Sequence, residues 1–175
     1  NAPLLNRALK DHAPGSTFKI PVTLAGMLSG KEMKHFECAG GARYGPKVFM
    51  KCWALSKGYT HGSIDAREAI KTSCNGFFYR YGNATGIDDI LNVSKAMGLG
   101  EKTGIPLNNE DAGFIPNPDW KRAQGLGKWG DADTALVSIG QGATEATALQ
   151  MAGVAATTSN GGYYYKPRLI FKTVN

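Results

Sequence analysis

Glycine recurs along the whole sequence, with 23 glycines and 8 prolines among 175 residues. Glycine disfavours the interiors of helices and strands and suits tight turns, so we expect short elements joined by many turns. The length is about that of one domain, or of a piece of a larger one. An apolar content of 42% and a charged content of 19% rule out a disordered chain and a coiled-coil polymer.

Between the turns, the apolar periodicity predicts mainly helices. The predicted helices are residues 16–29, 65–70, 75–81, 88–97 and 145–158. Gly30 ends the first, an Asp65-x-x-Glu capping box opens the second, and Thr144 caps the last. Residues 31–62 are expected to form a long loop, and strand-like alternation occurs only over 163–174.

The chain is basic, with a net charge of +6 and a pI near 9.2, which favours anionic partners in general. Lysine and arginine are scattered, with no run longer than Lys121-Arg122, so nucleic acid is not a predicted partner. No apolar run approaches the roughly 18 residues of a membrane-spanning helix, and no secretory signal opens the chain. The start at Asn1 instead of Met predicts an internal piece of a longer protein.

The cysteines and histidines show no close spacing. They are Cys38, Cys52, Cys74, His12, His35 and His61. A zinc site is expected to show close ligand pairs, so no metal site is predicted. Cys38 and Cys52 flank a glycine-rich loop, and two interpretations remain for them: a disulfide, or two free thiols in a loop.

Ser16-Thr17-Phe18-Lys19 stands where a turn gives way to a predicted helix. A spacing of three places Ser16 and Lys19 on one helical face, about 5–6 Å apart at Cβ. A desolvated lysine can take the proton of a serine hydroxyl and so make it a nucleophile. The helix N-terminus adds free N–H groups where an oxyanion would form. By itself the tetrapeptide is weak evidence for catalysis, because a serine or threonine at an N-cap followed by lysine is common in ordinary helices.

Ser73-Cys74-Asn75 supplies a second candidate group. Ser73 can relay a proton to a leaving group, and Asn75 can hydrogen-bond both a lysine ammonium and a substrate carbonyl. Ser-x-x-Lys, a Ser-x-Asn and a Lys-Thr-Gly together are the signature of penicillin-recognising acyl-transfer enzymes. The structural alternative is a helix end followed by an N-cap.

A colinear series of short segments runs along almost the whole chain. The segments are residues 4–8, 14–19, 61–62, 69–75, 98–100, 103–105, 120–121, 139–142, 149–152 and 160–162, with Glu110, Gly113 and Pro116. This series resembles the transpeptidase domain of class B penicillin-binding proteins. It resembles the elongation type, penicillin-binding protein 2, more than the septal type.

The resemblance implies a role for each candidate residue. Ser16 is the acylated nucleophile and Lys19 its general base. Ser73 and Asn75 form the second motif, which relays a proton and positions the substrate. The resemblance implies no cofactor and no metal.

Lys102-Thr103-Gly104 has the letters of the family's third motif but is assigned to a structural turn. It precedes the Gly140-Gln141-Gly142 segment, whereas the resemblance places the third motif after Asn175. That motif binds the substrate carboxylate and supplies an oxyanion N–H, so a piece without it is expected to be inactive alone.

By the same resemblance, residues 1–175 are part of one transpeptidase domain. They are expected to form a mainly α fragment, the helical subdomain of the α/β, β-lactamase-like transpeptidase fold, with little of its sheet. The N-terminal anchor, the pedestal and the C-terminal strands are expected outside them.

The implied whole protein is a peptidoglycan D,D-transpeptidase, the periplasmic domain of a single-pass inner-membrane protein. It cross-links stem peptides ending in D-Ala-D-Ala through a Ser16 acyl-enzyme and is acylated by β-lactam antibiotics. The implied partners are the cell-elongation machinery and, within it, a glycosyltransferase. In an oxidising periplasm, Cys38 and Cys52 could pair.

Two alternatives remain. The segment from Ser16 also resembles class D β-lactamases, which destroy the drug by fast deacylation, although these usually carry Ser-x-Val where Asn75 stands here. The second alternative is a β-lactam sensor domain or a degenerate scaffold. Turnover of a chromogenic β-lactam separates a lactamase from the others.

Overall fold

The computed structural model describes residues 5–31 and 34–170. Seven α-helices lie within this part of the chain: α1 (Lys19–Leu28), α2 (Ala66–Lys71), α3 (Asn75–Thr85), α4 (Ile87–Ala96), α5 (Pro118–Ala123), α6 (Asp131–Val137) and α7 (Ala148–Ser159). Three short 3-10 helices cover Arg7–Leu9, Gly15–Phe18 and Trp53–Lys57. Among the described helices, none has the length and apolarity needed to cross a membrane.

Six short strands form three separate antiparallel pairs in the described residues. They pair as β1 (Asp11–His12) with β6 (Ala146–Thr147), β2 (Phe36–Cys38) with β5 (Gly62–Ile64), and β3 (Gly41–Tyr44) with β4 (Val48–Lys51). The prediction of a long loop over 31–62 is therefore wrong. Strands of three or four residues are too short to give a clear alternation in the sequence.

The aromatic helix α3 lies at the centre of the core. Its Phe77, Phe78 and Tyr81 are buried, and the rings of Phe77 and Tyr81 stack with centroids 5.0 Å apart. Helices α1, α4 and α6 and strands β2 and β3 pack around it. The apolar face that the sequence places on this helix is thus the face against which most other elements pack.

The predicted helices at 16–29, 65–70, 75–81 and 88–97 are all present with shifted ends. The Asp65 carboxylate accepts a hydrogen bond from the Glu68 N–H at 2.8 Å, as expected of a helix cap. The first helix begins as a 3-10 turn over Gly15–Phe18 and becomes α-helical at Lys19.

The last helix starts later than predicted. Its cap is Thr147 and not Thr144: the Thr147 hydroxyl accepts from the Gln150 N–H at 3.1 Å, and the Gln150 side chain accepts from the Thr147 N–H at 2.8 Å. Ala146 and Thr147 are extended because they pair with β1. Tertiary pairing therefore overrides the local signal at Thr144, which lies buried in the preceding turn.

The strand predicted over 163–174 is absent from residues 163–170, and 171–174 lie outside the described residues. Tyr163, Tyr165 and Ile170 are exposed. A strand needs a hydrogen-bonded neighbour, and the described part of the chain provides none for this segment.

Candidate active site

Ser16 lies in the tight turn that leads into α1. Gly15 has φ of +57° and its N–H donates to the Gly140 carbonyl at 2.9 Å. Gly140 has φ of +65°, and a side chain there would collide with the Gly15 backbone. Two glycines are therefore required where the turn that carries Ser16 meets the segment after α6.

Lys19, the first residue of α1, is buried itself and points its amine to a cluster of oxygens from Ser16, Ser73 and Asn75. Its side chain is only 2% exposed. The Nζ atom donates to Ser16 Oγ at 3.1 Å, to Ser73 Oγ at 3.0 Å and to Asn75 Oδ1 at 2.7 Å, and it also contacts the Ser73 carbonyl at 2.8 Å. One amine thus connects the two candidate motifs directly.

Burial changes the protonation of this lysine. It lowers the pKa of Lys19 from 10.5 to about 8, and the nearby Cys74 and Cys52 oppose the shift. Removing an ammonium from water disfavours its charged form, so the neutral amine becomes accessible close to neutral pH. A neutral Lys19 can accept the Ser16 proton at the distance observed.

Ser73 has an unusual backbone conformation. Its φ is +51°, in the left-handed region that residues other than glycine rarely adopt. It occupies the turn between α2 and α3, where the Ser73 and Cys74 N–H groups donate to the Ile70 and Ala69 carbonyls. This turn directs the Ser73 hydroxyl to Ser16, to which it donates at 2.8 Å.

A second cluster lies directly behind this turn. It consists of Cys38, Cys52, His61 and Cys74, and their donor atoms all lie within 4.8 Å of one another. We call these residues the four-donor cluster. Cys74 is also the middle residue of Ser73-Cys74-Asn75, and its sulfur accepts the Phe77 N–H at the start of α3.

Three of the donor–donor distances are close to those around a tetrahedral zinc ion. His61 Nδ1 lies 3.6 Å from the sulfurs of Cys38 and Cys52, and the Cys52 and Cys74 sulfurs are 4.0 Å apart. With Zn–S of about 2.3 Å and Zn–N of about 2.0–2.1 Å, a tetrahedron places sulfur and nitrogen about 3.6 Å apart and two sulfurs about 3.8 Å apart.

The elements leave room for this arrangement. The three thiols are buried and free, so the Cys38–Cys52 disulfide is not formed. A side chain at Gly76 would collide with the Cys38 sulfur, so α3 approaches β2 closely only because a glycine stands there. The hydrogen bond between Cys52 and Cys74 lowers the pKa of Cys52 and raises that of Cys74.

Comparison with known proteins identifies the family. The family model "Penicillin binding protein transpeptidase domain" matches residues 1–175. The peptidoglycan D,D-transpeptidase MrdA of Acinetobacter baumannii is 34% identical over 180 residues, which cover 98% of this chain and 26% of that protein. The chain belongs to the penicillin-binding protein transpeptidase family.

Solved structures of the family share the fold. PBP2 of Helicobacter pylori, solved in complex with MreC, superposes with a TM-score of 0.85 at 30% identity, over 95% of this chain and 31% of that one. Penicillin-binding protein A of Mycobacterium tuberculosis, solved as a ceftriaxone acyl-enzyme, superposes with a TM-score of 0.81 at 28% identity, over 95% of this chain and 36% of that one. The prediction of a mainly helical fragment of this transpeptidase fold is confirmed.

The structure brings together all four residues singled out in the sequence: Ser16, Lys19, Ser73 and Asn75. It places Lys102-Thr103-Gly104 in a loop, where Thr103 and Gly104 donate backbone N–H groups to the Glu110 carboxylate at 2.9 and 3.2 Å. The Glu110 carboxylate therefore holds this segment in a loop, and its assignment to a structural turn and not to the third motif stays a prediction.

Sequence reasoning missed the four-donor cluster. It excluded zinc because no two ligands stand close in the sequence, and that reason fails because four different elements converge. Cys38 ends β2, Cys52 precedes a 3-10 helix, His61 precedes β5 and Cys74 caps α3. The one signal in the sequence was that three cysteines and a histidine fall within the 37 residues from 38 to 74.

Proposed function

We propose that Ser16 is the nucleophile of a peptidoglycan D,D-transpeptidase, and that it forms an acyl-enzyme with stem peptides ending in D-Ala-D-Ala. One observation carries the proposal: the buried Lys19 amine contacts Ser16, Ser73 and Asn75 at once. The MrdA relative, which bears the name of this activity, supports it.

In the acylation step, the neutral amine of Lys19 accepts the Ser16 proton as Oγ attacks the carbonyl carbon between the two D-Ala residues. The tetrahedral intermediate collapses when the carbon–nitrogen bond breaks. Ser73 Oγ contacts both Lys19 Nζ and Ser16 Oγ. It delivers a proton to the departing D-Ala nitrogen and takes one back from the Lys19 ammonium, so that both groups end the step as they began. The donor peptide is then held as an ester on Ser16.

The ester is resolved by the amine of a second stem peptide. That amine attacks the ester carbonyl, its proton passes to the Lys19 and Ser73 pair, and Ser16 leaves with a proton restored. The new amide is the cross-link. A β-lactam enters the same path, but its leaving nitrogen stays tethered to the acyl group, so the ester persists.

The chain spans about a quarter of the MrdA relative, and we propose the remaining parts from the family. The third motif and the strands around it follow Asn175, and the pedestal and a single inner-membrane anchor precede Asn1, so that these residues work in the periplasm. The PBP2 relative solved with MreC supports partners in cell elongation, and we extend this to a glycosyltransferase.

Transpeptidation by the full-length protein tests the function. Incubation with a D-Ala-D-Ala stem peptide and an acceptor amine should release D-Ala and yield the cross-linked amide, and Ser16→Ala should abolish both. A chromogenic β-lactam should be bound without turnover. Rapid turnover would replace the proposal with a class D-like β-lactamase, and acylation without any peptide product would indicate a sensor domain.

The four-donor cluster supports a second function: we propose that it binds one structural zinc ion. Three cysteines and a histidine whose donor atoms all lie within 4.8 Å of one another are a donor set typical of structural zinc sites. Purified full-length protein should contain about one equivalent of zinc, with sulfur-rich X-ray absorption. His61→Ala should lose the metal, while His35→Ala, at an exposed histidine outside the cluster, should keep it. Protein without metal, or equal loss in both variants, would contradict the proposal.

A further inference from the structure

Trp53 lies beside the second motif, in the 3-10 helix directly after Cys52. Its indole N–H donates to the Ser73 carbonyl at 3.1 Å and to the Thr72 carbonyl at 3.2 Å. The side chain is 40% exposed, so the indole is a surface group whose polar edge faces the catalytic turn. A tryptophan N–H has no acceptor function, so the contact can only be a donation to these carbonyls.

The Ser73 carbonyl therefore receives two donors, one from α1 and one from the 3-10 helix after Cys52. Lys19 Nζ contacts it at 2.8 Å and the Trp53 indole at 3.1 Å. Ser73 has a positive φ, which costs free energy in a residue with a side chain unless surrounding contacts hold it. Holding this carbonyl restrains the backbone of Ser73, from which the hydroxyl extends towards Ser16.

Two further rings hold the indole in place. Its ring packs edge-on against Tyr59 and His61, with centroids 5.7 and 5.3 Å away. The residue before it, Cys52, and His61 both belong to the four-donor cluster. Trp53 thus packs against the four-donor cluster on one edge and donates a hydrogen bond to Ser73 from another.

We propose that Trp53 is a positioning residue, which holds the Ser73 peptide group so that the Ser73 hydroxyl stays in contact with both Lys19 Nζ and Ser16 Oγ. Trp53 acts through Ser73 and takes no part in proton transfer. The inference rests on the proposed acyl transfer at Ser16 and adds to it a residue that neither motif contains.

The experiment is stopped-flow acylation of the full-length protein by a fluorescent penicillin, which separates the drug's dissociation constant from the acylation rate constant. Trp53→Phe keeps a ring and removes the N–H. The rate constant should fall about tenfold, the usual effect of losing one hydrogen bond in a transition state, and the dissociation constant should change less than about twofold. Replacing the indole with its benzothiophene isostere retains the ring shape and should also lower the rate constant while leaving the dissociation constant nearly unchanged.

Trp129→Phe is the matched control, because it makes the same change at an indole whose N–H donates to Thr134 Oγ1 at 2.8 Å and not to Ser73. Its rate constant should stay within about threefold of the wild type. A wild-type rate for both Trp53 variants without the N–H would overturn the positioning role, as would an equal loss in Trp129→Phe. Absence of Ser16-dependent labelling in the wild type would instead overturn the proposed function and, with it, this inference.

Discussion

At the scale of single residues, Lys19 decides what the site can do. Its position on the helical face of Ser16 was predictable from a spacing of three residues. Its burial and its contacts with Ser73 and Asn75 were not, because those residues stand 54 and 56 positions further along the chain. The altered pKa of Lys19 is therefore a property of the fold and not of the motif.

The pKa of Lys19 predicts the pH dependence of acylation. The conjugate acid has its pKa lowered to about 8, so the neutral amine is about a tenth of the total at pH 7 and half at pH 8. Acylation of the full-length protein should accordingly rise with pH through this range and level off above it. A rate that falls as pH rises from 6 to 9 would contradict the role of Lys19 as base.

A charge placed on Asn75 should move this profile. Asn75→Asp sets a carboxylate where the amide oxygen lies 2.7 Å from Nζ, which stabilises the ammonium and raises its pKa by about 1 unit or more. Acylation at pH 7 should fall about tenfold or more and recover at higher pH. Asn160→Asp adds the same charge at the exposed end of α7 and should leave the profile in place.

At the scale of elements, the sequence predicted the helices far better than the short strands. Apolar periodicity located α1, α3 and α4, because each carries a continuous buried face. It failed over 31–62, where strands of three or four residues are defined by their partners, and at the start of α7, where pairing with β1 moves the cap. Local pattern predicts elements that are stabilised locally.

The cap of α7 can be tested by mutation. Thr147→Ala removes a buried hydroxyl that accepts the Gln150 N–H and should cost about 1–2 kcal/mol of unfolding free energy. Thr144→Val is the control, since the Thr144 hydroxyl is buried with no hydrogen-bond partner among the described residues. Urea denaturation should show it neutral or slightly stabilising. A larger loss of unfolding free energy in Thr144→Val than in Thr147→Ala would indicate that Thr144 is the cap.

At the scale of the whole molecule, the four-donor cluster joins the excursion between α1 and α2 to the catalytic turn. Residues from β2, from the start of the 3-10 helix Trp53–Lys57, from the segment before β5 and from the start of α3 meet there. A bound metal would tie these four elements together, in a region where the sequence predicted a long loop.

Chelation should therefore loosen the fold. Adding a zinc chelator to the full-length protein is expected to lower the melting temperature by several degrees, because binding free energy of the folded state is lost. Adding zinc should restore the melting temperature. His61→Ala should have a lower melting temperature than the wild type, and the chelator should not change it. An unchanged melting curve in wild-type protein whose metal has been removed would show that the cluster is stable as free thiols.

The most direct test of the central claim is to locate a penicillin adduct by mass spectrometry. Full-length protein treated with penicillin G and digested with trypsin should yield peptide 11–19 carrying one drug molecule on Ser16. The ester should outlast a chase without drug, and Lys19→Ala should prevent its formation. An unmodified Ser16, an adduct on any other residue, or an ester lost within seconds would contradict the account of this site as a transpeptidase acylated through Lys19.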